Sequence, residues 1–566
     1  MPDTRNIRAY LEELVETGAR AAVAAGDLPD VAIPGAALER PKDAANGDFA
    51  STLPLRLARA AMKPPIEVAR AIARHIPADP AIEVPSVAPP GFINFRLSAG
   101  FLQAQVEHII ETGPAFANVT IGSGKKAQVE FVSANPTGPL HVGNGRGAAI
   151  GDALASALQA AGYEVEREYY VNDAGTQTDY FAETLYARYQ QLLGRNVEIP
   201  KDGYPGEYMI DLARMVKDEA GDRFLLPEGE PMPPALGGLG IELMVRNIRA
   251  TLERFGVRYD RWYSEKSLYD PEGAYDTAIE VLRDKGMLAE REGALWFTSS
   301  ELGEDKDNVV VRSDGRPTYY ASDIAYHWDK FIRRGFDLVI DVWGADHHGH
   351  VSRLKTATGA IGGDPNALHV LLYQLVFLNR GGEAVKIAKR SGEFVTLDDL
   401  ISDVGADAAR FFFLLRSPGA QMDFDLDLAK KQSSDNPVFY VQYAHARLCS
   451  ILERAGEQGL NPESGDVAKL THPSELALIR EMMRLTDVIE LVAASLEPQQ
   501  LPHYAMSLAT AFHAFNDAFK QANDPSLKVI TEDAAMSRAR LRLVLAARIA
   551  LARVLDLMGM TAPERM

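Results

Sequence analysis

The 566-residue sequence has a single cysteine, Cys449, and a deficit of positive charge: 59 Lys and Arg stand against 78 Asp and Glu, a net charge of −19. One cysteine excludes a disulfide framework and a cysteine-rich zinc site. No apolar run approaches the length that spans a bilayer, so no membrane partner is expected. The opening MPDTRNIRAYLEELVETGARAAVAAG contains acids and reads as an amphipathic helix rather than a signal peptide, which makes the cytoplasm the natural compartment. The acidity argues against phosphate binding over the whole surface, which would need Lys and Arg to displace counterions. It is unevenly spread, with −3 over residues 1–118, −3 over 435–566 and −13 between them. The two ends are therefore the better candidates for touching a polyanion.

At this length three or four domains are expected. Residues 1–118 combine helical periodicity, a Pro-initiated helix at KPPIEVARAIARHI and a Pro-broken strand in VPSVAPPGFINFRL, which predicts a small α+β domain. From Ala127 the pattern changes. AQVEFVSA is strand-like, GAAIGDALASALQAAG places Ile150, Leu154, Leu158 and Ala161 on one helical face with Gly162 as cap, and YEVEREYYV is a second strand. Strand, helix, strand at this spacing is a βαβ unit of a parallel sheet. Further strands at NVVVR, DLVIDVWG and HVLLYQLVFL make residues 119–434 an open α/β sheet with an insertion around 190–250. Residues 435–566 are a succession of amphipathic helices, a bundle.

Between the first strand and its helix lies PTGPLHVGNGRGAAIGDAL, residues 136–154. Ligands of open α/β sheets bind at the carboxyl ends of the strands. There, Gly143, Gly145, Gly147 and Gly151 would let a nucleotide lie against backbone, a helix starting near Gly147 would offer free N–H groups to an anion, and His141 could donate to a phosphate oxygen. A dinucleotide fold, with Glu164 or Glu166 as its ribose acid, is the competing reading; two prolines and a histidine stand where its strand should meet the first glycine. Far downstream, GGEAVKIAKRSGEF packs Lys386, Lys389 and Arg390 into five residues flanked by glycines, a cationic loop suited to a polyphosphate whose charge moves during reaction.

The pair HVGN and KIAKR resembles the two signatures of class I aminoacyl-tRNA synthetases, His-x-Gly-His and Lys-Met-Ser-Lys-Ser/Arg. With EFVSANPTGPLHVGNGRGAAIGDALA, YYVNDAGTQ, YYASDIAYH, VWGADHHGH, VKIAKRSGEFVTL, FYVQYAHAR and the terminal APERM, the text from about residue 40 onward is similar to the bacterial arginyl-tRNA synthetases. The resemblance implies a Rossmann-like α/β catalytic domain between an N-terminal, tRNA-contacting α+β domain and a helical anticodon-binding domain. It implies ATP-dependent activation of L-arginine, transfer to tRNA-Arg, Mg2+ carried on the ATP, a monomer, and activation that needs tRNA. His141, Asn144, Lys386 and Lys389 would carry the catalysis. The same four, with Gly143, Gly145, Gly147 and Arg390, would hold ATP. Arginine would meet Glu130, Asn135, Tyr319, Asp323 and Asp346, with NDAG (172–175) supporting the pocket; tRNA would meet Tyr440, Tyr443 and Arg447, with His445 in the same cluster. Tyr319 and Asp323 stand at i, i+4, so ring and carboxylate share a helix face. His347, His348 and His350 share no face as i, i+4 ligands do, and no protein-held metal is expected. Asn144 departs from the signature's second histidine, and Ile387 and Ala388 from its Met-Ser. Another adenylate-forming nucleotidyltransferase of the same fold is the remaining alternative, and the long helical region speaks against it.

Overall fold

The computed structural model describes residues 7–227, 230–385 and 395–566. Its centre is a five-stranded, all-parallel sheet of β1 (Lys126–Phe131), β2 (Glu164–Val171), β3 (Arg261–Ser264), β4 (Leu338–Gly344) and β5 (Leu368–Tyr373), in the spatial order β5-β4-β1-β2-β3. The crossover from β1 to β2 is helix α1 (Val142–Ala160). It lies very close to the sheet because Gly151 has no side chain: a Cβ there would sit 2.2 Å from Cγ of Phe131. Three helices, Thr176–Leu192, Tyr208–Ala220 and Pro234–Arg254, pack on one another between β2 and β3, in the region read as an insertion. Helix α2 (Tyr319–Trp328) precedes β4, and α3 (Val351–Ile361) connects β4 to β5.

Two expected strands lie elsewhere. NVVVR does not join the open sheet. Asn308–Val311 is the third strand of a separate antiparallel sheet with Leu288–Arg291 and Ala294–Phe297. That sheet is nucleated by a hairpin whose turn residues Glu292 and Gly293 have φ of +51° and +75°, the paired left-handed geometry that matches strand twist. HVLLYQLVFL is two strands. The chain leaves the parallel sheet at Gln374, whose carbonyl accepts from Nη1 of buried Arg146 at 2.7 Å and whose N–H donates to the Pro418 carbonyl at 3.0 Å. Val376–Arg380 then pairs with Met422–Asp425 and, through a Gly381-Gly382 turn, with Glu383–Ala384.

Residues 7–112 form a four-stranded antiparallel sheet with helices Ile7–Ala24, Leu53–Ala61, Pro65–His75 and Ala99–Thr112. The far end of the chain is a bundle of α4 (Pro437–Glu457), α5 (Pro473–Ser495), α6 (Gln500–Asn516) and α7 (Ala534–Leu557). Their starts follow capping chemistry: Asn436 caps α4 ahead of Pro437, and Asp533 Oδ1 accepts from Ala535 N and Met536 N. The two ends meet. Arg8 and Arg40 both pair with Asp487 of α5, Arg480 pairs with Asp48 at 2.7 Å, and Gln103 donates to the Leu470 carbonyl at 3.0 Å.

Arg410, fully buried, ties the parts together. Its guanidinium donates to Asp152 of α1 at 2.5 Å, to the Met558 carbonyl at the end of α7 at 2.7 Å and to the Phe255 carbonyl at 3.0 Å. Removing one partner of a buried, hydrogen-bonded ion pair costs about 3–5 kcal/mol. Arg410→Met is therefore expected to lower the thermal unfolding midpoint by several degrees. A melting curve that overlays the parent's would contradict the assignment.

Candidate active site

The loop after β1 is built under backbone strain. Val132 and Ser133 have φ of +69° and +40°, and a β-branched residue there is a steric outlier. The bend is held by the Tyr170 N–H donating to Ser133 Oγ at 3.1 Å. It carries the chain towards β2, where Asn135 meets the NDAG loop: its side chain hydrogen-bonds Gln177 at 2.6 Å and Asn172 at 3.0 Å.

His141 and Asn144 cap α1 together. Asn144 N–H donates to His141 Nδ1 at 3.3 Å, and His141 N–H donates to Asn144 Oδ1 at 3.0 Å, a reciprocal capping box. Acceptance at Nδ1 puts the neutral ring's proton on Nε2, the donor tautomer. Burial lowers the ring's pKa, and Asp346 opposes that shift from the far wall. The helix begins at Val142, one turn earlier than the expected start near Gly147. Gly145 and Gly147 consequently lie inside the helix against protein. A Cβ on Gly145 would meet Leu397 Cδ1 at 2.6 Å, and one on Gly147 would meet the Tyr373 ring at 2.9 Å. Close packing explains both, and of the three glycines expected at ATP only Gly143 stands at the helix start.

Lys386, Lys389 and Arg390 lie outside the described residues. The chain on either side of them is fixed, on one side within its own hairpin and on the other against the His141 loop. Val385 N–H donates to the Leu378 carbonyl at 2.8 Å. On the other side, Val395 accepts from Val142 N–H at 3.3 Å, Thr396 forms a bridge with His141, and Leu397 N–H donates to the Leu140 carbonyl at 2.8 Å.

On the opposite face of the sheet the chemistry is acidic. Strand register sets Glu130, Asp341 and Glu168 side by side on β1, β4 and β2, all buried. Cations neutralise the row. Lys330, on the π-turn Asp329–Arg333 that follows α2, donates to Glu130 Oε2 at 2.7 Å and Asp341 Oδ1 at 2.8 Å; Arg334 donates to both oxygens of Glu168, at 3.0 and 2.6 Å. Asp323, one helical turn after Tyr319, is paired with no cation among the described residues. Its carboxylate makes no hydrogen bond or ion pair among those of the described residues, and burial, with Glu130 and Asp341 nearby, raises its pKa to about 6 against the opposing pull of His327 and Arg353. Glu265, after β3, is also buried and also without a salt bridge among the described residues; burial, with Asp323 and Asp173 nearby, raises it to about 7. Tyr319 is 53% exposed, with its hydroxyl beside Gly175. Asp346, expected with the arginine ligands, stands exposed on the turn after β4, where its charge acts on His141 and Tyr373. Glu265, His327 and Lys330 escaped sequence reading. The visible signal was an acid inside an apolar strand, DLVIDVWG.

On α4, Tyr440 and Tyr443 share an outward patch with His513: Tyr440 lies 4.9 Å from the imidazole, and Tyr443 stacks on Phe439 at 5.9 Å. Arg447 acts electrostatically on His513. His445 does not belong to that patch. It is buried, with Nδ1 2.9 Å from the Pro563 carbonyl, and it anchors the terminal segment.

A parallel sheet with a capped histidine–glycine helix at its carboxyl edge, followed by a helical bundle, is the build of a class I aminoacyl-tRNA synthetase. Family models match consecutively: arginyl tRNA synthetase N terminal domain over residues 5–97, tRNA synthetases class I (R), catalytic domain over 105–412, and DALR anticodon binding domain over 441–566. The arginine–tRNA ligase of Dehalococcoides mccartyi is 50% identical over 541 residues, 96% of each chain, and that of Carboxydothermus hydrogenoformans is 48% identical over 551 residues, 97% of each. The fold matches the arginyl-tRNA synthetases of Thermus thermophilus (TM-score 0.76, 24% identity, 99% of this chain and 100% of that one) and Plasmodium falciparum (0.75, 16%, 99% of each). The chain belongs to the arginyl-tRNA synthetase family, and its activity is the ligation of arginine to tRNA. No helix among the described residues is long and apolar enough to cross a membrane.

Asp323 and Glu265 give a sign to the pH dependence. A guanidinium pairs with ionised carboxylates, and both groups hold protons more tightly than usual in the free protein. If Asp323 is the carboxylate that takes the substrate guanidinium, binding below about pH 6 must expel its proton, so arginine affinity falls by about tenfold per pH unit there and levels off above about 7. Calorimetric titration of arginine from pH 5 to 8 reads this directly; a flat profile contradicts it.

Proposed function

We propose the following division of labour. The arginine carboxylate attacks the α-phosphorus of ATP, forming the acyl–phosphate bond of arginyl-adenylate as the bond to the leaving pyrophosphate breaks. A hydroxyl of the terminal adenosine of tRNA-Arg then takes the arginyl group and AMP leaves. The substrate supplies its own nucleophile, so the protein contributes alignment and charge stabilisation. His141 donates from Nε2, and Asn144 from its amide, to the triphosphate at the start of α1. Lys386, Lys389 and Arg390 meet the leaving pyrophosphate; the anchoring of their flanks to Leu378 and to the His141 loop supports that reading. Mg2+ is carried by phosphate oxygens and water.

For arginine, Asp323 and Glu130 are the guanidinium acceptors, Tyr319 covers the stem, and Asn135 with the NDAG loop holds the other end. The observation that carries this is the site's missing cation: Asp323, half-buried, and Glu265, buried, are carboxylates with no salt bridge among the described residues, and a guanidinium fits that deficit. Tyr440, Tyr443 and Arg447 offer stacking and phosphate contact to unpaired tRNA bases. The chain works as a cytoplasmic monomer.

Two assays test the reading. Charging of tRNA-Arg proceeds with arginine and not with lysine, whose ammonium leaves part of the fork unpaired. Asp323→Asn lowers kcat/KM for arginine by roughly 100-fold, the cost of unpairing one buried charge. Comparable kcat/KM for the two variants of the enzyme would refute Asp323's role. ATP–pyrophosphate exchange with arginine requires tRNA; exchange without it would refute tRNA-dependent activation.

A further inference from the structure

The buried face of α2 and its π-turn is polar where a core helix should be apolar. Asp323, Tyr326, His327 and Lys330 recur at helical spacing, and the last three hydrogen-bond the acidic row of the sheet, Tyr326 to Glu168, His327 to Asp341 and Lys330 to Glu130 and Asp341. Asp341 is their hub. One of its oxygens accepts from Lys330 at 2.8 Å and the other lies 3.0 Å from His327 Nε2, while His327 Nδ1 lies 2.8 Å from the backbone carbonyl of Asp323. Lys330 is completely buried, rests 4.1 Å from the centre of the Tyr326 ring, and spends a second hydrogen bond on Glu130 Oε2. Glu130 Oε1 makes no hydrogen bond among those of the described residues. One carboxylate thus holds both the helical turn that carries Asp323 and the cation that grips Glu130.

We propose that Lys330 is a positioning residue for the amino-acid substrate: anchored by Asp341, its ammonium fixes the Glu130 carboxylate in place and in the charged state, so that the free oxygen serves as a second acceptor for the guanidinium. This rests on the reading of Asp323 and Glu130 as the guanidinium acceptors. The physical need is specific. A guanidinium has only donors, so a Glu130 protonated on its free oxygen would turn an O–H towards it and would lose the negative charge that makes the pairing strong. Among the described residues, the carboxylates facing Glu130 drive it towards protonation, Asp341 from β4, Glu168 from β2 and Asp323 from α2, and the phenols of Tyr170, Tyr259 and Tyr326 lie near it. Arg334 is engaged by Glu166 and Glu168. Burial lifts Glu130 above the usual carboxylate range even with Lys330 in contact, and the loss of Lys330 would lift it further. Burial works against charge on Lys330 too, yet Asp341, Glu130 and Glu168 outweigh it and keep the ammonium protonated.

The experiment is steady-state exchange in the presence of tRNA, with KM measured separately for arginine and ATP, on Lys330→Met, Lys330→Arg, Glu130→Gln, the double variant Glu130→Gln/Lys330→Met, and Asp323→Asn. Lys330→Met raises the KM for arginine at least tenfold at pH 7.5 and leaves that for ATP within twofold. Raising the pH towards 9 recovers part of the loss as Glu130 ionises, a readout that a merely structural role would not move. The double variant is no worse than Glu130→Gln alone. Equal rises in both KM values, no recovery with pH, or additive losses in the double variant overturn the proposal. If Lys330→Met does not fold, Lys330→Arg decides: it keeps the charge and moves its position, so the KM for arginine rises several-fold more than that for ATP, and an unchanged KM for arginine overturns the proposal. If Asp323→Asn and Glu130→Gln both leave the KM for arginine unchanged, the reading of the guanidinium site fails instead.

Discussion

Three carboxylates side by side in the middle of a parallel sheet are the constraint around which this catalytic fold is arranged. Glu130, Asp341 and Glu168 occupy matching positions on neighbouring strands, and three buried like charges in a low-dielectric interior are untenable without partners. Lys330 and Arg334, both from the turn that follows α2, supply them. The helix carrying Asp323 and Tyr319 is thereby fastened to the sheet by charge as well as by apolar packing. The row is charge-compensated, whereas Asp323 beside it forms no salt bridge among the described residues.

The two faces of β1 divide the work. Phe131 points to α1 and is met by Gly151, while Glu130 points to α2 and is met by Lys330. The strained bend at Val132 and Ser133 follows directly, where the chain leaves the strand end for the loop that leads to α1. Strain of this kind costs on the order of 1–3 kcal/mol and persists only where surrounding bonds over-determine it; here the Tyr170–Ser133 and Tyr169–Ala134 hydrogen bonds do so.

The sequence made the βαβ unit and the terminal bundle legible because their periodicities are long and their caps explicit. Only family resemblance singles out Asp323, whose local pattern alone reads as an ordinary acid near a helix start. The small antiparallel sheet was misplaced because NVVVR pairs through only three residues, Asn308, Val309 and Val311, and such a run carries no mark of its partner; the turn at Glu292-Gly293 was the available clue. HVLLYQLVFL looked continuous because its break is imposed from outside, by Arg146 drawing Gln374 off the sheet. The acidic row was invisible for a related reason. Alternating acids in YEVEREYYV look solvated, and only the register between strands shows that Glu168 lies beside Glu130. Buried cations seven and eleven residues beyond Asp323 were hidden with it.

The departure at Asn144 follows from the geometry of the helix start. The first demand on that position is to accept the N–H of His141, which Oδ1 meets at 3.0 Å. A histidine would meet it only with an unprotonated ring nitrogen, leaving its other nitrogen as the single donor. An amide has acceptor and donor at every pH, so the acceptor can serve the cap and the NH2 can serve a phosphate. What asparagine lacks is the capacity for positive charge. In this chain the partner ring of His141 is itself held towards its neutral form by burial, so what the start of α1 presents is hydrogen-bond donors and its helix dipole rather than full positive charge.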